Sequence, residues 1–101
     1  MRYAIFERSR DFPDEPERTG VAFVVAEIDE TGLVRREVGI SRSGSIAYKV
    51  PGSSTPFGSR GMFDLVMFNI AAIEPDLSAS DFEDLFRLDA NEKAPRFSAR
   101  G

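Results

Sequence analysis

Apolar and polar residues alternate from Gly20 to Val50, and the alternation predicts three consecutive antiparallel strands, Val21–Asp29, Leu33–Ser41 and Ser45–Val50. Between them stand Glu30-Thr31-Gly32 and Arg42-Ser43-Gly44, each ending on the glycine that a three-residue hairpin wants in a left-handed conformation. Loop length then sets the register. Pairing Asp29 with Leu33 gathers Ala22, Val24, Ala26 and Ile28 on one face with Val34, Val38 and Ile40, and pairing Ser41 with Ser45 adds Ile46, Tyr48 and Val50. A two-residue loop in either place would split that set. The same register sets Glu27 against Arg35, Glu37 against Lys49, and Phe23 over the bare backbone of Gly39. One face is expected to be core, and the other mostly solvated or open to a partner.

The flanking segments extend this meander. Arg2 to Arg8 reads as a first strand, with Tyr3, Ile5 and Glu7 on one face and Ala4 and Phe6 on the other. Ser9 to Thr19 contains Pro13 and Pro16, which deny helix and ladder hydrogen bonds, so it is an extended connection. Pro51 to Gly61 is a Gly/Ser-rich loop, functional or simply mobile, without the lysine and spacing of a P-loop. Met62 to Ile73 is nearly continuous apolar sequence in which periodicity does not separate strand from helix; Asp64 and the preceding glycines favour a strand at Phe63–Phe68. Ser78 and Ser80 are each followed three residues later by an acid, the signature of a helix start. Phe82, Leu85 and Phe86 make its apolar stripe, and the helix should fade near Asp89–Asn91. The expected fold is α+β: a four- to five-stranded antiparallel sheet, a meander, covered on one face by a C-terminal helix. It forms a single domain over residues 1–93, with 94–101 as a disordered tail.

Charge changes the picture more than composition does. The 101 residues carry a net charge of −4, which argues against nucleic-acid binding, and no apolar run reaches the length of a membrane span. Met1 leads straight into the first strand with no apolar targeting segment, so a cytoplasmic protein is expected. Between Glu74 and Glu92 seven acids (Glu74, Asp76, Asp81, Glu83, Asp84, Asp89 and Glu92) face one base, Arg87. A second cluster is Asp11, Asp14, Glu15 and Glu17. Either these are solvated faces that keep a small domain soluble, or they steer a basic protein partner.

Catalytic chemistry has few candidates. The chain has no histidine and no cysteine, which removes the commonest general base, the thiolate nucleophile and the soft metal site. Asp81 with Glu83 or Asp84 is a carboxylate pair only by proximity, and capping and solvation explain it better. Asp11 to Glu15 lacks the glycine and closing glutamate of an EF-hand. Neither an enzyme nor a cofactor nor a metal is expected. Arg36 is the odd residue, since the register puts it on the core face. An edge position, with the guanidinium reaching out along its stem, is preferred over a buried ion pair with an acid of the helix.

Asp11-Phe12-Pro13-Asp14-Glu15-Pro16, Glu27 to Gly32 with Arg35 to Ile40, Ser43 to Ile46, and Asp81 to Phe86 resemble segments of small bacterial immunity-type proteins encoded beside polymorphic or contact-dependent toxins. The likeness spans about residues 1–90 in order, through short motifs. Phe86 stands where that pattern has a tryptophan, and Pro51–Gly61 is longer than the pattern's loop. The resemblance implies a protein that binds a cognate toxin, encoded nearby and basic (a nuclease is one class), and blocks its active site or substrate access. The residues it nominates are Asp11, Asp14, Glu15, Glu17, Asp81, Glu83 and Asp84, with Phe57 and Arg60 on the long loop as anchors. The alternative is a non-enzymatic structural or regulatory module that dimerises through the open sheet face or the first strand's edge.

Overall fold

The computed structural model describes residues 1–7, 21–52, 63 and 67–94. Strands β1 (Arg2–Glu7), β2 (Phe23–Ile28), β3 (Val34–Ile40) and β4 (Ile46–Val50) form one antiparallel sheet in sequence order. A 3-10 turn at Ile70–Ala72 and helix α1 (Ala79–Phe86) follow, an α+β arrangement. Among the described residues no helix is long and apolar enough to cross a membrane. Ser78 caps α1 by accepting from the Asp81 N–H at 3.1 Å, one of the two predicted starts.

Both hairpins are the three-residue loops their glycines demand. Asp29 N–H donates to Leu33 O at 2.9 Å and Ser41 N–H to Ser45 O at 2.9 Å, with Gly32 and Gly44 at φ +94° and +87°. Away from the turns the register departs from simple counting. Ile28 pairs with Val34 but Glu27 pairs with Arg36, so Arg35 is an extra residue in β3. Ile40 pairs with Ile46 but Gly39 pairs with Tyr48, so Ala47 is an extra residue in β4. Each is a β-bulge, and each turns the strand beyond it over.

The bulges divide the predicted single apolar face in two. Val38, Ile40 and Ile46 lie on a first face with Val25, Tyr3 and Ile5. Val24, Ala26, Ile28, Val34, Tyr48 and Val50 form the second face, joined by Ala4 and Phe6. Neither face is left to solvent. Phe82 and Leu85 of α1, with Ala94, cover the first. Phe63, Phe68, Ile70 and Ile73 cover the second, where Phe6, Phe63 and Phe68 meet at ring-centroid distances of 4.9–5.4 Å. The expectation of a solvated face is therefore corrected.

Three cross-strand expectations change with it. Arg35 bonds Asp29 at 2.7 Å rather than Glu27. Glu37 does not face Lys49: it is 1% exposed on the second face, where its carboxylate accepts from the Tyr48 hydroxyl and from the Phe63 N–H. Gly39 lies under the Tyr48 ring, not under Phe23, and a Cβ there would stand 2.1 Å from Tyr48 Cε1.

The segments after β4 close the sheet rather than extend it. Of the strand expected at Phe63–Phe68, Phe63 sits in a turn and Met67 forms a single bridge to Leu33, so no fifth strand is found among the described residues. Phe68 N–H donates to Gly32 O at 2.7 Å. At the other end Ala94 is buried and its N–H donates to Gly44 O at 2.8 Å, so packed chain reaches Ala94, where the tail was expected to begin. Residues 95–101 lie outside the described residues.

Two expected outcomes follow from this packing. Gly39→Ala should lower stability by about 1–3 kcal/mol, read as a lower urea midpoint at unchanged slope, because the buried Tyr48 ring must move. Asp29 gives the second. Its carboxylate accepts from the Thr31 hydroxyl, the Leu33 and Thr31 N–H groups and Arg35, which together lower its pKa from 3.8 to about 2. A lowered carboxylate pKa adds stability above the unfolded value and loses it as pH falls through the folded one. Wild type should therefore lose stability between about pH 4 and pH 2 more steeply than Asp29→Asn, measured as unfolding midpoint against pH.

Candidate functional site

The extra residue at Arg35 rotates Arg36 onto the helix-covered face, directly across from Glu27. There the guanidinium forms a two-pronged pair with the Glu27 carboxylate, Nε to Oε1 at 2.8 Å and Nη2 to Oε2 at 2.7 Å. Glu27 is only 5% exposed and also accepts from the Tyr3 hydroxyl at 3.1 Å. The outer side of the same guanidinium bonds Glu83 of α1 through Nη2 and Nη1. Its carbon lies 5.0 Å from the Phe82 ring centroid and 4.9 Å from that of Phe86, so it also meets aromatic faces. Lys49 completes the contact, donating to Phe86 O at 3.0 Å at the negative end of the helix.

This cluster answers the question posed by Arg36. It pairs with an acid of the helix, and with one of the sheet, instead of reaching out from an edge. Hydrogen bonds from Arg36 hold the Glu27 carboxyl below the usual carboxylate range against the opposing effect of burial. The same partner lowers Glu83, while Glu27 and then Glu83 raise Arg36. Burial, followed by the bond to Glu27, pushes the Tyr3 phenol up. Charge is thus locked in place at the joint between α1 and the sheet.

Outside the joint, the helix and its flanks display acids. Glu74, Asp76, Asp81, Glu83, Asp84, Asp89 and Glu92 are all exposed. Asp84 pairs loosely with Arg87 at 3.1 Å, both side chains more than half exposed. Glu92 accepts from Asp89 N–H, Asp76 from Ile5 N–H, and Glu83 is held by Arg36. Of the nominated site residues, Asp81, Glu83 and Asp84 share α1, but Glu83 is engaged by Arg36. Asp11, Asp14, Glu15, Glu17, Phe57 and Arg60 lie outside the described residues. Sequence reasoning missed Glu27 as Arg36's partner on the sheet, and Tyr3 as the hydroxyl that bonds Glu27. The only signal was an arginine on a core face, and its partner depended on the bulge.

Among the described residues no three acids converge as a metal site would require. What the fold and the joint define is a small α+β domain with an acidic helix pinned to its sheet by one arginine. No family model, curated protein or solved structure matches the chain.

The joint can be tested through its asymmetry. Arg36→Ala leaves Glu27 buried with Tyr3 as its remaining partner, and should cost about 3 kcal/mol or more. Glu83→Gln, at the exposed end, should leave the thermal midpoint close to wild type. Equal losses from the two variants would contradict this division of roles.

Proposed function

We propose that this chain is an immunity-type inhibitor that binds a cognate bacterial toxin in the cytoplasm and blocks the toxin's active site or substrate access, without catalysis of its own. The observation that carries the reading is the acidic helix. Asp81 and Asp84 project into solvent from α1, and the helix is held against the sheet by Arg36 and Lys49. A rigidly mounted row of carboxylates speeds encounter with a basic surface and loses little side-chain freedom on docking. A nuclease toxin, whose cleft must attract phosphates, presents such a surface. Asp11, Asp14, Glu15 and Glu17, with Phe57 and Arg60, are also nominated by the resemblance and lie outside the described residues. The resemblance of these acidic segments to immunity-type proteins motivates the same assignment.

The dimeric-module reading gains no support from the described residues. Its two surfaces, an open sheet face and the edge of β1, are covered by Phe63, Phe68, Ile70 and Ile73 and by Asp76 respectively.

Co-expression with the product of the adjacent reading frame tests the proposal. One stoichiometric complex should form, protect cells from that product, and weaken with added salt. Asp81→Lys with Asp84→Lys should weaken it by about tenfold or more, chiefly through slower association. No complex and no protection would remove the immunity reading.

A further inference from the structure

β1 is the first strand of an open sheet, and its outward backbone groups are ones that another chain could pair with. At the middle of that edge one residue fills the place of a strand. Asp76 N–H donates to Tyr3 O at 2.8 Å, and the Asp76 carboxylate accepts from Ile5 N–H at 2.8 Å. A neighbouring strand would meet these same two groups with an N–H and a carbonyl oxygen from its own backbone. Asp76 supplies the donor from its backbone and the acceptor from its side chain. The chain then turns away. Pro75 precedes it and offers no N–H, and Arg2 holds the approach by donating from its guanidinium to Ile73 O. The substitute strand therefore has no ladder of its own to continue.

The partner that would fit the vacated edge is a second copy of β1. An antiparallel pairing about a two-fold axis at Ile5 sets Ile5 against Ile5, Ala4 against Phe6 and Tyr3 against Glu7. Apolar side chains then meet apolar ones on both faces of a joined sheet. It would use the Ile5 N–H and Tyr3 O that Asp76 now holds. We infer that Asp76 is an edge guard: by occupying Tyr3 O and Ile5 N–H it prevents two copies of this chain from joining through β1.

The test uses the full-length chain, with folding verified by circular dichroism and mass followed by sedimentation over about a hundredfold range of concentration. Asp76→Ala removes the acceptor and should shift from monomer towards dimer as concentration rises. Wild type should remain monomeric, as should Asp76→Asn, which loses the charge but keeps an acceptor oxygen. Adding Ile5→Pro to Asp76→Ala deletes the N–H at issue on an edge where proline is tolerated, and should restore the monomer. The idea is overturned if folded Asp76→Ala stays monomeric, if wild type or Asp76→Asn associates equally, or if the double variant still dimerises. A measurement on wild type alone gives an answer even if the alanine variant does not fold. The Ile5 amide should exchange with deuterium as slowly as the amides inside the β1–β2 ladder, at every concentration. Exchange as fast as at the exposed Glu30 amide would show that nothing guards the edge.

Discussion

One inserted residue in β3 governs the arrangement of everything that packs on the sheet. With Arg35 extruded, Arg36 and Glu27 face each other on the side that receives α1, and Val38 and Ile40 turn the same way. Without it, simple alternation would send Val38 and Ile40 to the side of Val34 and leave α1 with little apolar surface to cover. The second inserted residue, Ala47, reverses the effect in β4 and returns Tyr48 to lie across Gly39. The sheet thereby becomes apolar on both faces, one covered by α1 with Ala94 and the other by Phe63, Phe68, Ile70 and Ile73.

The same two bulges explain how a small domain accommodates buried acids. An ionised carboxylate taken out of water costs several kcal/mol unless it is paired and hydrogen-bonded. Glu27 and Glu37 lie on opposite faces, and each receives a tyrosine hydroxyl, from Tyr3 and Tyr48 respectively. Glu27 adds both prongs of the Arg36 fork, and Glu37 adds the Phe63 N–H. Arg36 serves two acids at once, so α1 is held by charge as well as by Phe82 and Leu85. The remaining acids of this region, on and around α1, are exposed.

The sheet edges follow a related economy. The segment from Ile73 to Asp76 closes β1, while Asn91 to Ala94 closes the first half of β4 through bonds at Gly44 and Ile46. Both closures come from the chain beyond β4. They engage the edge backbone groups of Tyr3 and Ile5 on one side and of Gly44 and Ile46 on the other within the chain itself.

The sequence by itself determined what is local. Two glycine-ended loops, four strands, the division of β1 between two faces and the serine-capped helix could all be read from turn chemistry and periodicity. Those signals need only a few neighbouring residues. It did not determine where the alternation slips, because a bulge has no required residue type here: Arg35 and Ala47 look like ordinary strand positions. Their extrusion is chosen by what each face must bury once α1, Phe63 and residues 68–73 are in place. The partners of Arg36 and Glu37, the ring over Gly39 and the occupied edge of β1 were therefore decided only by the tertiary structure, since each depends on contacts between residues far apart in the chain.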